Sequence, residues 1–333
     1  MSEHLLSVQD LHTSFFTDNG EVQAVNGVTF SLDPGEILGI VGESGSGKSV
    51  TAYSIMQILA DTGKITGGKV LYRGQDLSTW SEKQMQGFRG KNCSIIFQDP
   101  MTSLNPVFTI GNQLREAVVL HTERRGTEAD ARVRELLELV GINEPEKRMK
   151  QYPFEHSGGM RQRVMIAMAL ACEPDILIAD EPTTALDVTI QAQILELIQS
   201  LQKKMGMAVI LVTHDLGVIA DMCDNIVVMY GGRICERGTA HEIFYNPKHE
   251  YTKGLLRSIP NVNNMKKKLI PIAGTPINML NLPKGCAFCP RCDAAMKICL
   301  TRQPEELIIN DDHKAACWMN VRALVQEGVS AHE

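Results

Sequence analysis

The sequence has 333 residues, of which 44% are hydrophobic and 22% are charged. This length is large for one average domain and suits two, and the composition is that of an ordinary globular protein. The net charge of −6 argues against a nucleic-acid binder that relies on general basicity. No apolar run approaches the roughly 20 residues that span a bilayer, and the N-terminus has no secretory signal pattern, so we expect a cytoplasmic protein.

The first 35 residues favour two antiparallel strands, Leu6–Phe16 and Val22–Leu32, joined by a turn at 18–20. Beyond them, short apolar runs alternate with amphipathic helical stretches, which is typical of an α/β fold with a largely parallel sheet. The predicted elements are buried strands at 36–41, 94–97, 175–179 and 208–212, and helices at 131–140 and 190–205. The segment from about 100 to 165 predicts a mostly helical insertion.

The C-terminal part of the chain differs in composition from the rest. Residues 257–285 carry four prolines and a lysine run at 266–268, which predicts an irregular connection. Five of the nine cysteines follow it: Cys286, Cys289, Cys292, Cys299 and Cys317. We therefore expect a main domain over 1–256 and a cysteine-rich extension over 257–333.

A glycine-rich run that fits G-x-x-x-x-G-K-S lies between an apolar strand and a helical stretch, which is the context of a phosphate loop. Its residues are Gly42, Glu43, Ser44, Gly45, Ser46, Gly47, Lys48 and Ser49. Its glycines let successive backbone N–H groups turn toward one anion at a helix N-terminus. In such loops Lys48 reaches the β- and γ-phosphates, and the Ser49 hydroxyl holds Mg²⁺.

Two acidic residues end the apolar strand at 175–179. Asp180 suits the Mg²⁺ shell, and Glu181 suits a general base that polarises the attacking water. Acidic residues in this position also serve as helix caps, and Pro182 follows directly.

Ser157, Gly158 and Gly159, in the run HSGGMRQR, resemble the LSGGQ signature of ABC ATPases. Other residues resemble that family's motifs in the family's order: Phe15 or its neighbour Phe16 as the aromatic that stacks on adenine, Gln98 as the Q-loop glutamine that also approaches Mg²⁺, Asp187 in the D-loop, and His214 as the switch histidine. The resemblance implies ATP and Mg²⁺ as ligands, with Glu181 and His214 catalytic. It also implies a head-to-tail dimer that sandwiches two ATP molecules and closes as the power step.

Further runs resemble the ATPase subunits of oligopeptide and dipeptide importers, with nickel importers close by. They are QDPMTSLNP at 98–106, DEPTTALDVTIQAQ at 180–193, THDLG at 213–217 and PKHEYTKGLL at 247–256. The resemblance implies ATP-driven import of di- or oligopeptides at the cytoplasmic face of the cell membrane. The implied partners are a second, related ATPase, two permease subunits and a solute-binding protein, with no nucleic acid. The alternatives are import of nickel or another solute, and a soluble ABC ATPase without a transport role.

The C-terminal cysteines follow the pattern C-x2-C-x2-C-x6-C-x17-C. The spacing alone leaves free thiols, a zinc site and an iron–sulfur cluster open, because the start matches a ferredoxin run but the expected fourth cysteine is absent. The run GCAFCPRC at 285–292 resembles a segment of dipeptide-importer ATPases, some of which carry a [4Fe–4S] cluster. That resemblance implies Cys286, Cys292, Cys299 and Cys317 as ligands, with Cys289 left over and Zn²⁺ as the alternative.

Overall fold

A computed structural model describes residues 4–99, 103–184, 186–258 and 271–321. Parts of the predictions lie outside these residues: positions 100–102 of the run at 98–106, Ala185 of the predicted D-loop, positions 259–270 of the predicted connection with the lysine run at 266–268, and positions 322–333 of the predicted extension.

The strands of the described residues are, in chain order, β1 (Leu6–Thr17), β2 (Gly20–Leu32), β3 (Ile37–Val41), β4 (Gly63–Tyr72), β5 (Gln75–Asp76), β6 (Cys93–Ile96), β7 (Ile176–Asp180), β8 (Ala208–Thr213), β9 (Asn225–Tyr230), β10 (Arg233–Thr239), β11 (Leu307–Asn310) and β12 (His313–Ala315). The helices are α1 (Lys48–Met56), α2 (Glu82–Phe88), α3 (Ile110–His121), α4 (Gly126–Leu139), α5 (Pro145–Arg148), α6 (Gly158–Ala169), α7 (Val188–Met205), α8 (Leu216–Ala220), α9 (Ala240–Tyr245), α10 (Glu250–Arg257) and α11 (Lys297–Thr301).

The chain forms two compact units. The first unit consists of Met1–Leu32, Ile37–Asp76 and Thr213–Glu333, and the second of Asp33–Glu36 and Leu77–Val212. The prediction of an α/β fold with an antiparallel N-terminal sheet and a helical insertion is confirmed by these elements. Within the described residues, we find no helix that is both apolar enough and long enough to cross a bilayer.

The first unit contains an antiparallel sheet in the order β2, β1, β4 and β5. Its β1–β2 pair is the predicted hairpin, with Leu6 opposite Leu32 and Thr17 opposite Gly20. The same unit holds a second set of strands, in which β3 runs parallel to β9 and β10 runs antiparallel to β9. Every residue of β3 is buried, as expected for a strand that is covered on both faces.

The second unit contains the parallel strands β6, β7 and β8, with Ser94 opposite Leu177 and Leu177 opposite Val209. All five residues of β7 and all six of β8 are buried. Helices α3 to α6 form the predicted insertion. Helix α4 buries the predicted apolar stripe, Val133, Leu136 and Leu137, but it begins at Gly126, five positions before the predicted start.

The C-terminal segment adds strands to the first unit. Strand β12 pairs antiparallel with Glu236, Arg237 and Gly238 of β10, and β11 pairs with β12. Arg237 also makes a two-fold ion pair with Glu306, with its Nε and Nη2 atoms 2.7 and 2.6 Å from the two carboxylate oxygens. The predicted boundary near residue 256 is followed by positions 259–270, which the structure does not describe, and it stays a prediction.

Candidate ATP site and cysteine module

The loop from Gly42 to Ser49 connects β3 to α1 in the first unit, as the phosphate-loop motif predicts. Two of its glycines are required by close backbone approach. A Cβ at Gly42 would collide with the Met229 carbonyl oxygen, and one at Gly47 would collide with the Ala24 carbonyl oxygen. Gly47 has a φ of 99°, which a residue with a side chain rarely adopts. The loop can therefore pass tightly over β9 and still open α1 with its N–H groups exposed to a ligand.

The polar groups of this loop suit an anion. The Lys48 ammonium donates to the Gly42 and Glu43 carbonyl oxygens at 2.7 and 3.0 Å, so it is held above the loop. The Ser46 hydroxyl is buried and has no hydrogen-bond partner among the described residues. A buried hydroxyl without a partner costs free energy. A phosphate oxygen bound there would offset this cost by accepting the hydroxyl's hydrogen bond. Ser44 and Gly45 are exposed, and Ser49 is half-buried.

In the second unit, β7 ends at the fully buried Asp180, and Glu181 follows. Glu181 has a positive φ of 46° and donates its backbone N–H to the Val212 carbonyl oxygen at 2.8 Å. Its carboxylate oxygen Oε2 accepts from the Gln98 amide and from the Thr184 hydroxyl, each at 2.9 Å. These two donors fix the carboxylate in one orientation. The helix-cap alternative is wrong, because the next helix of the described residues begins at Val188 and is capped by Asp187.

The predicted signature opens α6. The Ser157 hydroxyl caps that helix by accepting from the Met160 N–H at 3.4 Å. A Cβ at Gly159 would lie 2.8 Å from the Ile190 side chain, so the signature glycine lets α6 and α7 pack closely. Asp187 of the predicted D-loop caps α7 by accepting from the Ile190 N–H at 3.0 Å. Ile190 is also the residue against which Gly159 packs, so the D-loop and the signature meet at this side chain.

His156, directly before the signature, is buried, and both of its ring nitrogens lack hydrogen-bond partners among the described residues. Burial, together with the positive charge of Arg148, lowers its pKa, so the imidazole is neutral at pH 7. The cap of α6 comes from Ser157 and not from this imidazole.

His214 belongs to the first unit and is exposed. It comes directly after Thr213, the last residue of β8. Its position is set by the surrounding turn, in which Thr213 accepts from the Asp215 N–H at 3.0 Å and Asp215 accepts from the Gly217 N–H at 2.8 Å.

The two phenylalanines that are candidates for stacking on adenine differ in their contacts and exposure. The Phe15 ring covers Gly63 of β4, whereas Phe16 is 46% exposed.

The predicted residues are thus divided between the two units. The phosphate loop, both phenylalanines, His214 and the C-terminal cysteines belong to the first unit, and Gln98, Asp180, Glu181, the signature and Asp187 belong to the second.

The C-terminal cysteines lie close together in the first unit. The Cys286 thiol interacts electrostatically with Cys299, Cys317 and Cys292, and burial raises its pKa to about 12. Burial likewise raises the pKa of Cys292 to about 11. Cys235 of β10 also belongs to this group, because it interacts with Cys286 and Cys317, although its place in the sequence assigned it to the ATPase core.

Backbone N–H groups act against the larger effect of burial on the pKa of three predicted ligands and favour their thiolates: Phe288 for Cys286, Ala294 for Cys292 and Met319 for Cys317. The Cys299 sulfur accepts from the Met296 N–H at 3.4 Å. Within the described residues, no group of three or more His, Cys, Asp or Glu side chains is arranged to hold a metal ion.

A contact between the cysteine module, defined as residues 286–317, and the phosphate loop was not predicted. The Arg291 guanidinium binds both carboxylate oxygens of Glu43, with N–O distances of 2.5 and 3.0 Å. The Glu43 N–H donates to the Tyr251 hydroxyl at 2.8 Å. The pair joins residues 248 positions apart in the sequence. Its only signal in the sequence is that Arg291 stands inside the cysteine run.

The fold and the site together define a P-loop ATPase. Residues 25–184 match the family model described as "ABC transporter", and residues 235–299 match "Oligopeptide/dipeptide transporter, C-terminal region". The chain is similar to the dipeptide transport ATP-binding protein DppD of Bacillus subtilis, with 54% identity over 95% of each chain. It is also similar to the oligopeptide transport ATP-binding protein OppD of Salmonella typhimurium, with 49% identity over 96% of this chain and 95% of that one.

Among solved structures, the dimeric post-hydrolysis state of the ATP-binding cassette MJ0796 bound to ADP and Pi is similar with a TM-score of 0.64 and 26% identity, over 71% of this chain and 98% of that chain. The cbiO1 structure from Clostridium perfringens is similar with a TM-score of 0.63 and 28% identity, over 74% of this chain and 92% of that chain. The chain belongs to the ABC transporter family of ATPases, in the group of ATP-binding proteins of oligopeptide and dipeptide transporters.

Proposed function

We propose that this chain is the ATP-hydrolysing subunit of an importer for di- and oligopeptides. The observation that carries the proposal is the Glu181 carboxylate, held by Gln98 and Thr184 at the end of a buried strand, in a family of peptide-transport ATPases. A carboxylate fixed by two donors keeps one orientation toward an attacking water, as a general base requires.

The remaining residues divide the work on the nucleotide. The phosphate loop and Lys48 bind the phosphates, and one of the two phenylalanines stacks on the adenine. Ser49, Gln98 and Asp180 would hold Mg²⁺, which supplies positive charge to the phosphates when bound. The buried Asp180 carboxylate and the hydroxyl of Ser49 are oxygen ligands of the kind that Mg²⁺ prefers. His214 orients the γ-phosphate.

The signature serves the nucleotide of another subunit. Ser157 and Gly158 are exposed and Gly159 is half-buried at the N-terminus of α6, where backbone N–H groups and the helix dipole favour the binding of a γ-phosphate from a facing subunit. The resemblance to MJ0796, whose structure is a dimer bound to ADP and Pi, supports this arrangement. In our proposal the facing subunit is a second, related ATPase, and Asp187 contributes to the same interface. ATP then favours the closed dimer because it binds that state better.

The transport partners are two permease subunits and a solute-binding protein, which place the chain at the cytoplasmic face of the membrane. The test is reconstitution of the complex in proteoliposomes with a labelled dipeptide. We expect uptake that depends on ATP and is lost with Lys48→Ala, while the variant complex still assembles. The same assay with nickel in place of the dipeptide tests the alternative substrate. Uptake of nickel without uptake of any peptide would contradict the proposal.

We also propose that Cys286, Cys292, Cys299 and Cys317 hold a [4Fe–4S] cluster. Backbone N–H groups stabilise thiolate ligands and tune such clusters; the Cys299 sulfur accepts a hydrogen bond from one, and others favour the thiolates of Cys286, Cys292 and Cys317. The proposal rests on the neighbouring thiols and on the resemblance to dipeptide-importer ATPases, since no group of three or more His, Cys, Asp or Glu side chains in the described residues is arranged to hold a single metal ion. Zn²⁺ remains the alternative occupant.

Anaerobic purification with iron and acid-labile sulfide analysis tests the cluster. Cys292→Ser and Cys289→Ser form a matched pair, because only the first removes a proposed ligand. We expect a brown protein with sulfide in the wild type and in Cys289→Ser, and loss of both in Cys292→Ser. A colourless wild-type protein with stoichiometric zinc would refute the cluster and favour the alternative.

A further inference from the structure

The cysteine module makes a charged contact with the nucleotide-binding loop. Arg291 lies between Cys289 and Cys292, and its side chain is only 4% exposed. It meets the Glu43 carboxylate through both terminal nitrogens, and Glu43 is the second residue of the phosphate loop. A two-fold guanidinium–carboxylate pair fixes geometry as well as charge.

Three aromatic rings also support the pair: Phe288 of the module, Tyr230 at the end of β9 and Tyr251 of α10. The guanidinium carbon of Arg291 lies 5.8 Å from the Tyr230 ring centroid and 6.0 Å from that of Phe288. Phe288, Tyr230 and Tyr251 contact one another with centroid distances of 4.7 to 5.3 Å. Since the Tyr251 hydroxyl accepts from the Glu43 N–H, both the side chain and the backbone of Glu43 are held by this cluster.

The charge of Glu43 gives the contact a role in ATP binding. A carboxylate in a phosphate loop repels the phosphates of a nucleotide, and Arg291 compensates that charge and holds it in place. The Lys48 ammonium, which binds the phosphates in our proposal, also donates to the Glu43 carbonyl oxygen. A shift of Glu43 would therefore displace Lys48 as well.

We propose that Arg291 is a positioning residue of the ATP site, through which the affinity for nucleotide depends on the order of the segment 286–292. The proposal rests on ATP binding at the phosphate loop. It makes the cysteine module a determinant of nucleotide affinity, whatever the occupant of its thiols.

The test measures the affinity of the purified chain for N-methylanthraniloyl-ADP with Mg²⁺ by fluorescence titration. We expect Arg291→Gln to raise the dissociation constant about 5- to 20-fold, at the lower end of the range for coupled sites. Arg291→Lys keeps the charge and loses the two-fold contact, so its effect should be intermediate. The matched control is Arg237→Gln, which breaks a similar two-fold pair with Glu306, a residue outside the phosphate loop, and should change the affinity less than about 2-fold.

A double-mutant cycle separates positioning from loss of folding. We expect the effect of Arg291→Gln to be at least about 3-fold smaller in a Glu43→Gln background, because the uncompensated charge is then gone. Thermal unfolding of each variant reports on folding independently. Equal affinities of Arg291→Gln and wild type, or the same effect of Arg291→Gln in both backgrounds, would overturn the inference. A wild-type chain that binds no nucleotide would instead refute the proposed function.

Discussion

Replacing Glu181 with glutamine removes the carboxylate and keeps its shape. The amide oxygen of glutamine accepts the same hydrogen bonds from Gln98 and Thr184, now about 2.9 Å long, so no cavity forms and neither of these two donors loses its acceptor. Hydrogen bonds to a charged acceptor contribute about 1.5–3 kcal/mol and neutral ones about 0.5–1.5 kcal/mol. The change in the free energy of unfolding should therefore stay within about 3 kcal/mol.

The expected effect on turnover is larger. General-base catalysis contributes about 10²- to 10⁴-fold to a rate, and each factor of ten corresponds to about 1.4 kcal/mol of activation free energy. We expect Glu181→Gln to reduce ATP turnover by at least about 100-fold. The affinity for ATP should change little, because the phosphate loop that binds the phosphates is untouched.

The assay is steady-state ATP hydrolysis by the assembled complex, with ATP affinity measured in parallel. Thr184→Val is the matched control, because it removes one donor to the carboxylate and leaves the base in place. Its loss of turnover should stay below about 10-fold, the equivalent of one hydrogen bond. Retention of more than a tenth of wild-type turnover by Glu181→Gln would refute the assignment of the base.

Two further predictions concern the phosphate loop and His249, the N-cap of α10. Gly42→Ala should abolish nucleotide binding and lower the melting temperature, because the new methyl group meets the Met229 carbonyl oxygen. Gly45→Ala meets open space and is strained only by its φ of 77°, so it should lower the melting temperature less and keep measurable nucleotide binding in the same titration. Burial lowers the pKa of His249 from 6.5 to about 4, so the unfolded chain binds a proton more strongly than the folded chain does. The free energy of unfolding should therefore fall by up to about 3 kcal/mol as the pH decreases from 6.5 to 4. Denaturant unfolding at several pH values measures this, and the same slope in His249→Asn would contradict it.

Elements that are defined by a local sequence pattern were predicted correctly. The buried strands β3, β7 and β8 are continuous apolar runs, and their observed bounds differ from the predicted ones by one residue at most. The start of α4 was predicted too late because residues 126–130 contain a single apolar residue, Ala129, which is too little to form a stripe. The position of the loop between β3 and α1 was predictable because eight consecutive residues define its motif, whereas its binding of phosphate stays a prediction.

Features that depend on distant pairing were not predicted. Strand β4 has glycines at 67 and 68 and gains its order from β1, far away in the sequence. The β11–β12 hairpin is short and acquires its partner only when β10 is in place. The Arg291–Glu43 pair spans 248 positions, and no local pattern indicates which of the many acidic residues an arginine will meet.

The position of β12 has a consequence for association with other chains. An open strand edge offers unpaired N–H and C=O groups to any other polypeptide, and it is a common starting point of aggregation. Strand β10 would present such an edge beside β9 if residues 313–315 did not pair with it. The hairpin transfers the edge to β11, which has only four residues, and short edge strands are poor templates for further pairing. The cysteine module therefore also protects the first unit from edge-to-edge association, a role independent of ATP and of any metal.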